Sequence, residues 1–352
     1  VVGGMSDSAG RNPLTTARLF DPATGAWTTA ASMSTPRYEF LLVKLPNGRV
    51  LAAGGFTSGG FTASAEVYDP ATDTWTPTGS MGVARQVTGS TFLQDGTILI
   101  AGGSGAEITA HVETYDPATG VWTARTPLPE PRNSQVEALL SDGRVLVAGG
   151  VTSGSRILTS SLLYDPLTGK WSATGSLSIP RFNFTATTLP DGRVLVAGGS
   201  TYSGAVASAE LYDPVTGTWS AAATMSHARY APSMNPINGK VVIAGGLNNG
   251  GGTASVELYD PESNEWTVVA AMASARYLYT LTPLADGRHL AVGGENNASA
   301  LMSAELFFAP VATIPATGVV VDGTTSLTCT LDLAGATTGY WDAVARSSGR
   351  VA

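Results

Sequence analysis

The sequence predicts an all-β fold of four-stranded antiparallel sheets stacked radially about an axis, and three observations carry that prediction. A glycine pair recurs seven times, at Gly3-Gly4, Gly54-Gly55, Gly102-Gly103, Gly149-Gly150, Gly198-Gly199, Gly245-Gly246 and Gly293-Gly294, with a spacing of 47 to 51 residues. An aromatic-Asp-Pro triplet recurs six times, headed by Phe20, Tyr68, Tyr115, Tyr164, Tyr212 and Tyr259. Six residues after each of those aspartates stands a tryptophan, and ten residues after each tryptophan an arginine. A fixed period of this length is a repeat architecture, and no stretch shows the apolar period of a helix.

One repeat shows how the elements follow. After Arg181, "FNFTATTL" reads as strand one. "PDG" is a tight hairpin, because Asp-Gly supplies the positive φ that such turns need. "RVLVAGG" is strand two, β-branched and closed by glycine. After a variable stretch, "SAELYDP" is strand three, ended by Pro214, which lacks an N–H. "VTG" turns and "TWSAA" is strand four. Such a sheet cannot bury both faces alone. Radial stacking buries them and leaves only short, protected edges. The Trp and Tyr/Phe positions fill the space between neighbours, each large side chain contributing about 1.5–3 kcal/mol when fully buried.

The glycine pair, the tyrosine shortly before the tryptophan, and the tryptophan itself resemble the kelch family of β-propellers, of the kind that forms the central domain of galactose oxidase. The resemblance covers residues 1 to about 310. It implies a propeller with strand one nearest the central channel. Residues 37–266 hold five full repeats; the N-terminal piece has strands two to four, the C-terminal piece strands one to three. Seven glycine pairs favour seven blades, the first and last incomplete, with six as the alternative. Residues 311–352 lose the repeat marks. There "SLTCTLDL" and "YWDAVAR" read as strands of a segment resembling part of an immunoglobulin-like module, too short for a whole sandwich. The expected domains are therefore a propeller, 1–310, and this segment, 311–352.

Composition excludes several function classes. Charged residues are 13% of the chain and the net charge is −8, with no basic run, which argues against nucleic acid and anionic membranes. No apolar stretch is long enough to span a bilayer. One cysteine, Cys329, permits no internal disulfide. His111, His227 and His289 are scattered over three repeats, so neither a metal site nor a cofactor is expected. Kelch-like copper oxidases use Tyr, Cys and His, whereas Cys329 lies outside the propeller. No Ser-His-Asp spacing suggests a hydrolase, and Glu39, Glu107, Glu137 and Glu295 are too scattered to pair from sequence.

Spacing gives the address of function. Nearly all length variation lies between the glycine pair and strand three. In an antiparallel sheet that loop shares a face with the start of strand one, opposite the Asp-Gly and Asp-Pro turns. Loops on a rigid scaffold carry function. The candidate ligand-binding residues on this face are Arg37, Arg85, Arg132, Arg181, Arg229 and Arg276, the aromatics that follow four of them, Tyr38, Phe182, Tyr230 and Tyr277, and the loop residues Tyr202, Asn248, Glu295 and Asn296. Guanidinium groups around a channel mouth suit carboxylates. The competing reading is structural: Glu66, Glu113, Glu210, Glu257 and Glu305 stand on strand three and could pair with the arginines inside each blade. Leu162 replaces that glutamate in one repeat and Arg18 in another, so Arg132 or Arg181 could lack a partner. The expectation is a monomeric, non-catalytic binding propeller of a bacterial secreted or cell-surface protein, with a glycan or protein as ligand. The alternative is a carbohydrate-active enzyme of the sugar-acid epimerase or lyase type, with an arginine clamp on a carboxylate.

Overall fold

The computed structural model describes residues 1–6, 12–87, 89–269, 271–297, 299–308, 316–321 and 327–331. It is an all-β propeller of six blades. Blades 1 to 5 have four strands each. Blade 1 is Leu41–Lys44, Val50–Ala53, Ala65–Asp69 and Thr74–Thr78. Blade 2 is Thr91–Phe92, Ile98–Ala101, Val112–Asp116 and Val121–Arg125. Blade 3 is Val136–Leu139, Val145–Ala148, Ser161–Asp165 and Lys170–Thr174. Blade 4 is Thr185–Thr188, Val194–Ala197, Ala209–Asp213 and Thr218–Ala221. Blade 5 is Ser233–Ile237, Lys240–Ala244, Val256–Asp260 and Glu265–Val269. Blade 6 has three strands, Thr280–Pro283, Arg288–Val292 and Ala304–Phe308. Every blade is a meander of antiparallel neighbours, and the first strands of blades 2 to 6 adjoin in order, which places strand one at the axis.

The preference for seven blades is corrected by the N-terminal piece. Ala17–Phe20 and Trp27–Ala30 form only a two-stranded ladder, joined by a bridge from Val2 to Ala17. Among the described residues this ladder has no inner strand, and it packs against blade 1: Ala17 and Ala30 lie on Tyr68, and Trp75 donates its Nε1–H to the Ala31 carbonyl at 2.9 Å. On its other side, the Arg288 guanidinium of blade 6 reaches the Pro22 carbonyl. The surplus strands thus stand between blades 1 and 6 without completing a seventh sheet.

Strand two is the centre of each blade. Leu51, Ile98, Val145, Val194 and Val241 are all buried, because this strand is covered on both faces by neighbouring blades. Strand four faces solvent on one side, and its tryptophan closes the seam. Trp122, Trp171, Trp219 and Trp266 donate Nε1–H to carbonyls of the preceding blade's outer end, at Gly79, Thr126, Gly175 and Ala223. The ring of each also lies 4.9–5.1 Å from the tyrosine of its own triplet. One residue therefore links two blades by packing and by a hydrogen bond.

The glycine pair fits the close approach its sequence suggests. The second glycine donates its N–H to the carbonyl of the next blade's arginine, as in Gly55 to Arg85 and Gly199 to Arg229, at 2.8–2.9 Å. At the first glycine, a Cβ on Gly198 would stand 2.5 Å from the Arg229 carbonyl oxygen, and φ there is +69°. Both the contact and the left-handed backbone demand glycine.

At the C-terminal end, Leu327–Leu331 forms a strand within the stretch expected to be one, paired with Ala316–Val321. The strand expected at 340–346 lies outside the described residues.

Candidate functional site

The loop after strand two and the lead-in to strand one do share a face. In all six blades the residue after the arginine pairs backbone-to-backbone with the residue after the glycine pair: Tyr38 with Phe56, Gln86 with Ser104, Asn133 with Val151, Phe182 with Ser200, Tyr230 with Leu247, and Tyr277 with Glu295. In blades 1, 3, 4 and 5 the loop then folds into a two-residue hairpin, such as Phe56–Thr57 with Gly60–Phe61.

The six arginines, in contrast, are not at the mouth. Arg37, Arg85, Arg132, Arg181, Arg229 and Arg276 are each 0–1% exposed. Arg37 donates from Nη1 to the carbonyls of Gly54 and Ser64, and from Nη2 to Ser64 Oγ and Glu66 Oε1. The ion pairs Arg85–Glu113, Arg181–Glu210 and Arg229–Glu257 are 2.7 Å long, and Arg276 pairs with Glu305. The same glutamates accept backbone N–H groups from the residues leading into the arginine, as Glu66 does from Ser34 and Thr35. The expectation of an arginine ring facing ligand is therefore corrected. In blade 1 the guanidinium bridges the Gly54 carbonyl at the end of strand two and the Ser64 carbonyl before strand three, which also accepts the Gly54 N–H, while a buried carboxylate neutralises the charge. In blade 3, Leu162 leaves Arg132 with only the Gly149 and Ser160 carbonyls and Ser160 Oγ, and burial pushes its pKa down to about 10. Arg181 has its glutamate, so of the two arginines in question the one without a carboxylate is Arg132.

The mouth itself is built from the residue two after each arginine. Glu39, Ser134, Asn183, Ala231 and Leu278 all have φ between +49° and +56°. Blade 2, with Val87, is the exception. Neighbouring members are tied by their backbones: Asn183 N–H donates to the Ser134 carbonyl at 3.1 Å, and Ala231 N–H to the Asn183 carbonyl at 2.6 Å. Since strand one is innermost, this rim surrounds the axis on the loop face. Left-handed backbone costs a non-glycine residue about 1–3 kcal/mol and persists where the surroundings enforce it, often at functional sites. Sequence reading named Glu39 but not the rim, because no glycine marks the turn.

Around the rim, Tyr38, Phe182, Tyr230 and Tyr277 are half-buried with their backbones fixed by the bridges. Tyr38 stacks on Phe56 at 5.2 Å, and Phe56 contacts Phe61 at 4.0 Å. Tyr277 donates its hydroxyl to Glu295 Oε2 at 3.1 Å. Enclosure first, and the charge of Glu295 second, push the Glu39 carboxyl above the usual range. A cavity of about 670 Å³ between the N-terminal ladder and blade 6 is lined by Arg18, Trp27, Tyr38, Glu39, Tyr279 and Glu295 among others. A shallower depression of about 530 Å³ lies between the loops of blades 2 and 3, lined by Glu107, Ile108 and residues 151–155.

The loop residues divide. Tyr202, 69% exposed, accepts the Ile157 N–H of blade 3 on its hydroxyl at 2.9 Å. Asn249 Oδ1 accepts the Ala205 N–H, and Asn297 Oδ1 the Gly252 N–H, at 2.9 and 2.6 Å. These three side chains latch each loop tip to the preceding blade, a role the sequence did not separate from ligand contact. Asn248 and Asn296 shape their own turns, accepting from Gly250 and Ser299. Of the histidines, His227 Nδ1 stands 3.3 Å from Glu257 and His111 Nε2 3.9 Å from Glu113. His289 is buried on Phe307, as a core histidine would be, and burial pushes its pKa down. Among the described residues no three His, Cys, Asp or Glu side chains converge on a metal position. No helix there is long and apolar enough to cross a membrane.

Comparison with known proteins supports the same architecture. Three stretches, residues 46–82, 180–226 and 228–273, match the Kelch motif. No curated protein sequence matches the chain. Among solved structures the chain resembles YjhT, at 17% identity and a TM-score of 0.63, over 85% of this chain and 99% of that one. At that identity the likeness is one of fold. The matched stretches lie in register with the unmatched repeats between them, and the chain is a six-bladed β-propeller that carries kelch motifs.

Proposed function

We propose that this protein is a non-catalytic binding propeller that recognises a glycan or protein ligand at the axial mouth of its loop face. The observation that carries the reading is the strained rim of Glu39, Ser134, Asn183, Ala231 and Leu278, held in one geometry while its side chains differ. A scaffold that fixes backbone and varies side chain at one position in successive blades suits recognition. With the six repeat guanidinium groups consumed inside the blades, the polar groups left at the mouth include hydroxyls, an amide and the carboxylates Glu39 and Glu295, with Arg18 on the wall of the adjoining cavity. Tyr38, Tyr230 and Tyr277 add aromatic surface, which favours sugar rings or aromatic and cationic side chains over acidic sugars. None of the six repeat arginines is exposed for a clamp on a substrate carboxylate, so the enzyme alternative gains no support from them. The low charge and lack of basic runs accord with a secreted or surface setting, to be tested by fractionating the source cells.

The experiment is a glycan and peptide array with the native protein, followed by titration of each hit with Tyr277→Phe, Asn183→Ala and Glu39→Gln. A tenfold or greater loss for at least one rim variant, with the fold intact by circular dichroism, supports the mouth. Hits that survive all three substitutions place the ligand elsewhere.

A further inference from the structure

Blade 2 opens its innermost strand early. Its strand one is Thr91–Phe92, two residues against four or five in the other blades. In blade 3 the end of strand two, Ala148, pairs with Val136 of strand one. The equivalent residue in blade 2 is Ala101, and its strand-one ladder stops short, at Thr91–Leu99. Gly89 stands where the strand would continue.

Blade 3 supplies the missing partners from side chains. Gln135 Nε2 donates to the Ala101 carbonyl at 2.6 Å, and Glu137 Oε1 accepts the Ala101 N–H at 3.3 Å. Gln135 Nε2 also lies 3.4 Å from Glu137 Oε1. The absence of a side chain at Gly89 leaves the room: a Cβ there would already touch the Glu137 carboxyl, at 3.4 Å. Two oxygens of this arrangement, Glu137 Oε2 and Gln135 Oε1, are buried without a hydrogen-bond partner among the described residues. An unpartnered buried acceptor is costly.

We propose that Gln135 and Glu137 form a proton-locked clasp between blades 2 and 3, closed while Glu137 is neutral and loosened when it ionises, so that the loop face over these two blades responds to pH. A proton on Oε2 turns one of these two acceptors into a donor. An ionised Glu137 keeps both as acceptors, and neither has a donor among the described residues. The charged group facing it from blade 2 is Arg85, already committed to Glu113. In its own blade Arg132 is turned to Gly149 and Ser160. Burial pushes the Glu137 carboxyl up to about 7, against the Ala101 N–H, the Gln135 amide and Arg85, which pull it down. Gln135 is two residues from the Asn133–Val151 loop pairing, which carries one wall of the depression between the loops of blades 2 and 3.

The test is amide exchange of Ala101 in the native protein across pH 4.5 to 8.5, corrected for intrinsic exchange, with Ala148 as the internal control on an ordinary ladder. Opening is coupled to loss of the proton wherever pH lies between the exposed carboxyl's value and the clasped one. Protection of Ala101 therefore falls about tenfold per pH unit up to about 7 and then levels off. Ala148 stays flat. Glu137→Gln, which keeps a donor at every pH, removes the dependence. A flat Ala101 profile in the native protein overturns the clasp, whether or not the variant folds. So does a Glu137 carboxyl carbon that titrates in the ordinary carboxylate range.

Discussion

Leu162 stands on strand three of blade 3 where five other strands carry a glutamate, and Arg132, across from it, is left with carbonyl and hydroxyl acceptors but no carboxylate. Blade 4 keeps the pair, Arg181 to Glu210 at 2.7 Å, with both side chains almost wholly buried. The two blades form a natural comparison. Removing one member of a buried pair leaves an uncompensated charge, at about 3–5 kcal/mol. Removing a buried cation that has no carboxylate takes a donor from the Gly149 carbonyl, while the Ser160 carbonyl keeps the Gly149 N–H, and relieves the cation's own desolvation. Arg181→Met is therefore expected to cost about 3–5 kcal/mol and Arg132→Met clearly less, about 1–2 kcal/mol. Urea unfolding of both variants measures this, and equal losses would mean that the glutamate contributes nothing to the asymmetry.

The glycine pairs separate two costs that usually travel together. Gly198 has φ +69° and a prospective Cβ contact of 2.5 Å with the Arg229 carbonyl; Gly25 has φ +73° and nothing within 4 Å. Gly25→Ala pays for the backbone alone, about 1 kcal/mol. Gly198→Ala must also displace the next blade, so it is expected to lose several kcal/mol or fail to fold. Thermal melts of the two purified variants decide it.

These residues show what could be read in advance. The repeat, its strand order and the shared face of loops and strand-one lead-ins follow from spacing, because pairing is periodic and spacing records it. The arginines were legible only as a choice. Arg181 with Glu210 and Arg132 with Leu162 both stand in the sequence, but whether the guanidinium turns inward depends on the carbonyls of Gly198 and Ser208, which the fold brings beside it. The rim was not legible, since Glu39, Ala231 and Leu278 are ordinary residues, each set between the bridge at the residue before it and the strand one that follows. The blade count hung on whether strands 17–20 and 27–30 acquired an inner partner, which no local pattern specifies.

The loop latches run one way, from each of blades 4, 5 and 6 back to the blade before: Tyr202 to Ile157, Asn249 to Ala205, Asn297 to Gly252. Each is a single exposed or half-exposed hydrogen bond, worth about 0.5–1.5 kcal/mol. Tyr202→Phe, Asn249→Ala and Asn297→Ala are expected to leave global stability within about 1 kcal/mol and to speed amide exchange at the N–H-donating loop alone. Exchange mapped by mass spectrometry checks the pairing. Acceleration spread over the whole face would mean that the loops move as one body.

Glu137 also marks the stability of the whole protein. Its folded-state pKa, about 7, lies above the ordinary glutamate value, so the folded chain holds a proton that the unfolded chain releases between about pH 4.3 and 7. Stability therefore falls as pH rises through that window and is level above it. Glu137→Gln lacks this slope. The difference between variant and native is expected to be small below pH 4 and to grow in the variant's favour to about 3–3.5 kcal/mol at pH 7.5, before any cost of the lost carboxylate contacts. Taking the difference cancels the surface aspartates whose pKa values the fold lowers, such as Asp116 and Asp165, which act in the opposite direction at lower pH. Denaturant midpoints of both proteins at four or five pH values measure it. A constant offset would show that Glu137 is ionised in the folded state throughout, with water completing its hydrogen bonds.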